Sequence, residues 1–198
     1  MSNSQNTSQF KLCENIAIMN NINNNLIDNE YSNKFNLLNN KTKDIVNKLS
    51  SVLLKIIMPY GDNNNSNVSN YNYKFNLKSS FDANIISSLS LKNYISRIVY
   101  YSQVNNSTII ISLIYLDRYL NNSNICLTEN NVYLLILTSL HLSTKMNEDK
   151  LLKDKDYSYV GSIENKLLIY NESLFLTTIK YNTYVSNTEF NNYNNYFN

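Results

Sequence analysis

The chain has 198 residues and a formal net charge of +2, which suits one domain with extensions and is too balanced for a surface that tracks phosphates. Two glycines are too few for a phosphate-cradling or dinucleotide-binding loop, and no apolar stretch reaches the roughly 20 residues of a membrane span. Nucleic acid, membrane and small-molecule substrate are therefore not expected as partners, and no cofactor is expected.

Cys13 and Cys126 belong to no CxxC or Cys/His cluster, so neither a zinc site nor a disulfide framework is indicated. The opening MSNSQNTSQF lacks the basic and apolar regions of a signal peptide. The expectation is a soluble protein of the cytoplasm or nucleus. Asparagine supplies about a fifth of the residues, in polar runs that resist packing.

Residues 1–40 are Asn-rich and hold no apolar period, so they read as an irregular or disordered extension. The segment 41–58 contains the first firm element. Ile45, Leu49, Val52, Leu53 and Ile56 recur at helical spacing from about 43 to 58, with Thr42 as a candidate N-cap and Pro59 and Gly61 as the stop. Residues 59–89, with YGDNNNSNVSNYNYKFN at their centre, read as a linker.

From residue 90 to 198 the pattern is helical throughout. SLKNYISRIVYYSQ has one apolar stripe through Leu91, Ile95 and Ile98. STIIISLIYLDRYLNN and LTENNVYLLILTSLHLSTKM are apolar nearly all round, which places both helices inside a bundle. Thr128 is positioned to cap the second of them. A charged loop, NEDKLLKDKD, leads to a break at Gly161, followed by a helix over about 163–180. In the last element Ser186 and Glu189 form a capping box, with Val185 and Phe190 at the staple positions. The fold class is all-α: about five helices, preceded by one extra N-terminal helix.

Few residues offer chemistry. His141, the sole histidine, has no second ligand at i+3 or i+4 and reads as a core residue. Metalloprotease and nucleotide-binding motifs are absent, so catalysis in this chain is not expected. Arg97 and Asp117 stand on strongly apolar helices and invite pairing, because an isolated buried charge costs several kcal/mol. Arg118 would then be the exposed one. Lys145 in a last turn complements the helix dipole by about 0.3–1 kcal/mol, and the stem of such a side chain can lie along apolar neighbours. Glu172, between Tyr170 and Leu174, poses the same question in mid-helix.

In their order and spacing, YISRI, SLIYLDRYL, LTENNVYLLILTSLHLSTKMNED, YVGSI, NESLFL and VSNTEF resemble the cyclin box, in particular that of the P-type, phosphate-signalling-type cyclins. The resemblance spans about 90–192. IVNKLSSVLLKII is similar to the helix that these proteins place before the box. It implies a single cyclin-box five-helix bundle with an extra N-terminal helix, and a non-catalytic subunit that binds and activates a cyclin-dependent serine/threonine kinase as a heterodimer. In the family, the Lys closing the third box helix and the Glu of LExxFL bond the kinase backbone around its αC helix; here they are Lys145 and Glu172.

The family's structural Arg–Asp pair maps onto Arg97 and Asp117. Leu142, Met146 and Phe175 are candidates for apolar contacts with the kinase. Glu148 and Asp149 are candidates for pairing an arginine of its activation segment. There are departures as well. Ser162 replaces a glycine, and Leu167, Ile169 and Asn171 replace the usual ELNxLE residues. The substrate-docking patch of mitotic cyclins is missing from LKNYISRIVYY. These leave two rival readings: a cyclin-fold module that binds a kinase without activating it, or one with a non-kinase, transcription-type partner.

Overall fold

The computed structural model describes residues 34–57, 79–82 and 89–197. Most of the expected Asn-rich extension (1–40) and of the expected linker (59–89), together with Cys13, lies outside the described residues.

Helix α1, Asn40–Ile56, begins where Asn39 accepts the Thr42 amide at 2.9 Å. The cap is thus Asn39 rather than Thr42, and an Asn is as good an acceptor there. Thr42 is buried instead, and its hydroxyl lies 2.7 Å from Asn106 Oδ1. Ile45, Val46, Leu49 and Leu53 form the buried face of α1, against α2 (Leu91–Ser102) and α3 (Asn106–Asn122).

Helix α4, Val132–Asn147, is buried from Val132 to Thr144 except at Tyr133. It runs against α3 and also meets α2. An apolar circumference therefore predicts its central place correctly. Its start differs from expectation. Thr128 does not cap it; Asn131, itself buried, bonds back to the Thr128 amide (2.9 Å) and donates to the Cys126 carbonyl (3.0 Å).

A short helix α5, Asp154–Val160, precedes α6, Asn165–Thr178. Gly161 stands between them, at a position where a Cβ would collide with the Leu137 side chain of α4. Ser162 follows with φ 56°, the left-handed conformation that a glycine adopts more easily. Helix α7, Asn187–Phe197, closes the chain on α1, where Lys48 Nζ donates to the Phe197 carbonyl at 2.7 Å. Ser186 accepts the Glu189 amide at 3.2 Å as a capping box requires, while the Glu189 side chain turns to Arg118.

Among the described residues of the expected linker, Phe81 and Leu89 belong to the core. Phe81 is fully buried, edge-on to Tyr119 and Phe175, which stack on each other with centroids 4.6 Å apart. Asp82 accepts the Ser79 amide to turn the chain there.

The expected Arg97–Asp117 pair does not form. Asp117 is exposed and accepts from the Tyr193 hydroxyl of α7 at 2.6 Å. Arg97 donates to the Tyr159 carbonyl, at the end of α5. It is Arg118, the residue expected to be free, that turns inward. Its guanidinium bonds the carbonyls of Asn182 and Tyr184 and pairs with Glu189 at 2.7 Å. The two positions lie about 100° apart around a helix, so the rotation of α3 alone decides which of them faces the protein.

Candidate functional site

Side chains four apart lie over one another on a helix, so α4 presents His141 and Lys145 on one face. Helix α6 brings Glu172 to the same place, and Asp154 opens α5 beside them. Lys145 Nζ bonds Glu172 Oε1 at 2.9 Å and Oε2 at 3.0 Å, and lies 3.3 Å from Asp154 Oδ1. His141 Nε2 is 3.1 Å from the same Asp154 oxygen, while Nδ1 is 3.8 Å from Glu172 Oε2. Four ionisable groups from three helices thus share one patch.

The patch is graded in depth. The side chains of His141, Glu172, Lys145 and Asp154 are 1%, 14%, 32% and 37% exposed. Burial pushes the His141 pKa below its usual value; Glu172 and Asp154 oppose that shift and the Lys145 ammonium adds to it. Burial also works against the Lys145 cation, yet its hydrogen bond to Glu172 and the charges of Glu172 and Asp154 outweigh it, so its pKa rises. Desolvation would raise the Asp154 pKa, but the Lys145 and His141 charges lower it. Lys145 and Asp154 are therefore both ionised at neutral pH.

Such a cluster can present a donor and an acceptor to another polypeptide's backbone. No three His, Cys, Asp or Glu side chains among the described residues are placed to hold a metal ion. Exposed apolar side chains lie within three residues of the patch in sequence: Met146 at 50%, Leu151 and Ile169. Beside Met146 a cleft of about 540 Å³ opens between α3, the end of α4 and the start of α7, floored by Ile111, Tyr115, Val185 and Phe190.

The remaining candidates from the sequence are placed differently. Leu142 and Phe175 are fully buried and belong to the core rather than to a contact surface, because each faces the neighbouring helices of the bundle. Glu148 is already engaged. It accepts the backbone amide of Asn105 at 2.8 Å, its side-chain amide at 2.7 Å and the Thr108 hydroxyl, and so caps the start of α3, whose own N-cap residue supplies no side-chain bond. Asp149 is exposed.

The sequence reading missed Asp154. It stands within a run of alternating Lys and Asp, KDKD, where no period separates the acid facing the protein from the acid facing water. Its one signal is position, since an acid in a first helical turn is favoured by the dipole.

Comparison with known proteins agrees with this architecture. The sequence model of the Cyclin family matches residues 38–183. The chain is similar to Cyclin-U4-2 of Arabidopsis thaliana, 27% identical over 151 residues that cover 76% of this chain and 68% of that protein. It is also similar to Cyclin-U4-3 of Arabidopsis thaliana, 33% identical over 116 residues (58% of this chain, 53% of that protein). With Cyclin-P3-1 of Oryza sativa subsp. japonica it shares 35% identity over 75 residues (38% of this chain, 32% of that protein). The matched region thus spans from about a third to two thirds of these relatives' lengths.

Proposed function

This chain belongs to the cyclin family, and from that premise we propose that it is a non-catalytic subunit which binds and activates a cyclin-dependent serine/threonine kinase. An active kinase needs its αC helix placed so that the αC glutamate pairs with the β3 lysine. A partner that binds the αC-in state better than the αC-out state makes it the dominant one. Apolar side chains at the patch edge, Met146 first, would supply contact area. Lys145 and Glu172 would fix register by bonding the kinase backbone.

The observation that supports this reading is the meeting of Lys145 and Glu172. They are 27 residues apart in sequence and come from separate helices, yet they sit together with side chains 32% and 14% exposed. About a third of the Lys145 side chain stays exposed, so the pair can still be reached by another polypeptide.

Glu148 favours attention to a second reading, binding without activation. Its carboxylate is committed to the start of α3, which leaves Asp149 as the acid available to an activation-segment arginine. Affinity purification of the tagged protein, identification of the co-purified kinase and a histone-type kinase assay separate the two. The expected result is a recovered, active kinase, with recovery falling at least tenfold for Lys145→Glu or Glu172→Lys, equivalent to about 1.4 kcal/mol or more. Recovery of an inactive kinase would favour the second reading. Wild-type recovery and activity in both variants would refute the assigned interface.

A further inference from the structure

His141 lies beneath the proposed contact pair, and the kinase-binding reading gives it no task. The titratable and charged groups that face it come from three helices: Lys145 from its own α4, Glu172 from α6, and Asp154 and Tyr157 from α5, the Tyr157 ring centroid lying 4.6 Å from that of the imidazole. An ionised carboxylate only accepts hydrogen bonds. The 3.1 Å contact with Asp154 therefore assigns the proton of the neutral ring to Nε2. Nδ1 is left as a bare lone pair, buried and without a hydrogen-bond partner, turned toward a carboxylate oxygen 3.8 Å away. In this form the ring holds Asp154 and offers Glu172 nothing. A proton on Nδ1 would turn that lone pair into a donor aimed at Glu172.

We propose, resting on the kinase-binding reading, that His141 and Asp154 are positioning residues which set how freely Lys145 and Glu172 turn toward a partner. Asp154 keeps the ammonium group in place when Glu172 swings out to a backbone amide, because its oxygen lies 3.3 Å from Nζ in the unbound chain. The neutral His141 leaves Glu172 free to swing, and the protonated ring holds it inward. Coupling of this kind is reciprocal. If a proton on His141 favours the inward Glu172, a partner that draws Glu172 outward favours release of that proton by the same factor. Binding therefore weakens on acidification through the range where His141 titrates. Burial places that range below the usual histidine value.

His141 is the sole histidine, so a nitrogen-resolved NMR titration of the full chain reports on it alone. At neutral pH the Nε2–H tautomer is expected. The midpoint should fall in both Asp154→Asn and Glu172→Gln, since each removes an acid that favours the imidazolium. A midpoint unmoved by Glu172→Gln overturns the proposal without any kinase being present.

The second arm uses the kinase recovered by the purification above. From about pH 7.5 to about one pH unit below the midpoint found by NMR, the wild-type affinity should drop about fivefold or more beyond any change seen in His141→Met over the same range. Identical pH profiles for the two proteins also overturn the proposal. If Lys145→Glu binds like wild type while the NMR midpoints shift as stated, the interface assignment fails and the coupling of His141 to Glu172 stands.

Discussion

Asn171 lies fully buried in α6, and neither its amide nitrogen nor its carbonyl oxygen has a hydrogen-bond partner in the structure. An unmet buried amide costs about 1–3 kcal/mol, and nothing in the patch repays it. Replacing it by the apolar residue that its inward direction asks for should remove that cost. Asn171→Leu is expected to raise the urea midpoint, by about 1–3 kcal/mol in unfolding free energy, with Lys145 and Glu172 untouched. A lowered midpoint would mean that the amide has a partner, such as a bound water. Asn171 was noticeable in the sequence as a departure from the family pattern. Its burial was not, because an Asn in an Asn-rich chain carries little signal of its own.

Among the elements, α3 depends most on a distant residue. Its N-cap, Asn105, makes no side-chain bond to the helix. Glu148, from beyond the end of α4, ties the N-cap residue down by accepting its backbone and side-chain amides together with the Thr108 hydroxyl. A carboxylate at a helix N-terminus also meets the favourable end of the dipole. Glu148→Ala should therefore cost about 1–2 kcal/mol, in the range of a lost cap, while Asp149→Ala changes stability by less than about 0.5 kcal/mol. Chemical denaturation of the two variants side by side decides it. Equal effects would show that Glu148 is not the cap of α3. The helix itself was readable from its apolar run, since burial on all sides leaves a mark at every position. The cap was not readable, because the sequence does not say that the end of α4 passes the start of α3.

At the scale of the molecule, the patch must be separated from the fold that carries it. Lys145→Glu sets two acids, Glu172 and Asp154, against a third, so a lost interaction in that variant could follow from lost stability. Combining Lys145→Glu with Glu172→Lys restores opposite charges across the 2.9 Å contact, although Asp154 still opposes the new carboxylate. The double variant should be more stable than the sum of the single changes implies, by about 0.5–3 kcal/mol, and still fail to recover the kinase. Recovery at the wild-type level would show that the pair serves the fold alone. The same contrast explains why Leu142 and Phe175 do not belong to the surface. Both are fully buried, and Phe175→Ala belongs to the class of core truncations that cost about 3–5 kcal/mol.

By itself the sequence determined the all-α class, the two central helices, the break at Gly161 and the resemblance to the cyclin box. These are properties of periodicity and motif order, and every residue in a helix contributes to them. Only the tertiary structure decided which polar side chains meet. Arg118 rather than Asp117 faces the protein, Glu148 closes α3, Phe81 returns from the connection to the core, and Asp154 joins His141, Lys145 and Glu172. Each of these depends on how elements distant in sequence are set against one another; for residues on a helix, a rotation of about 100° exchanges neighbours without altering the pattern that makes the helix.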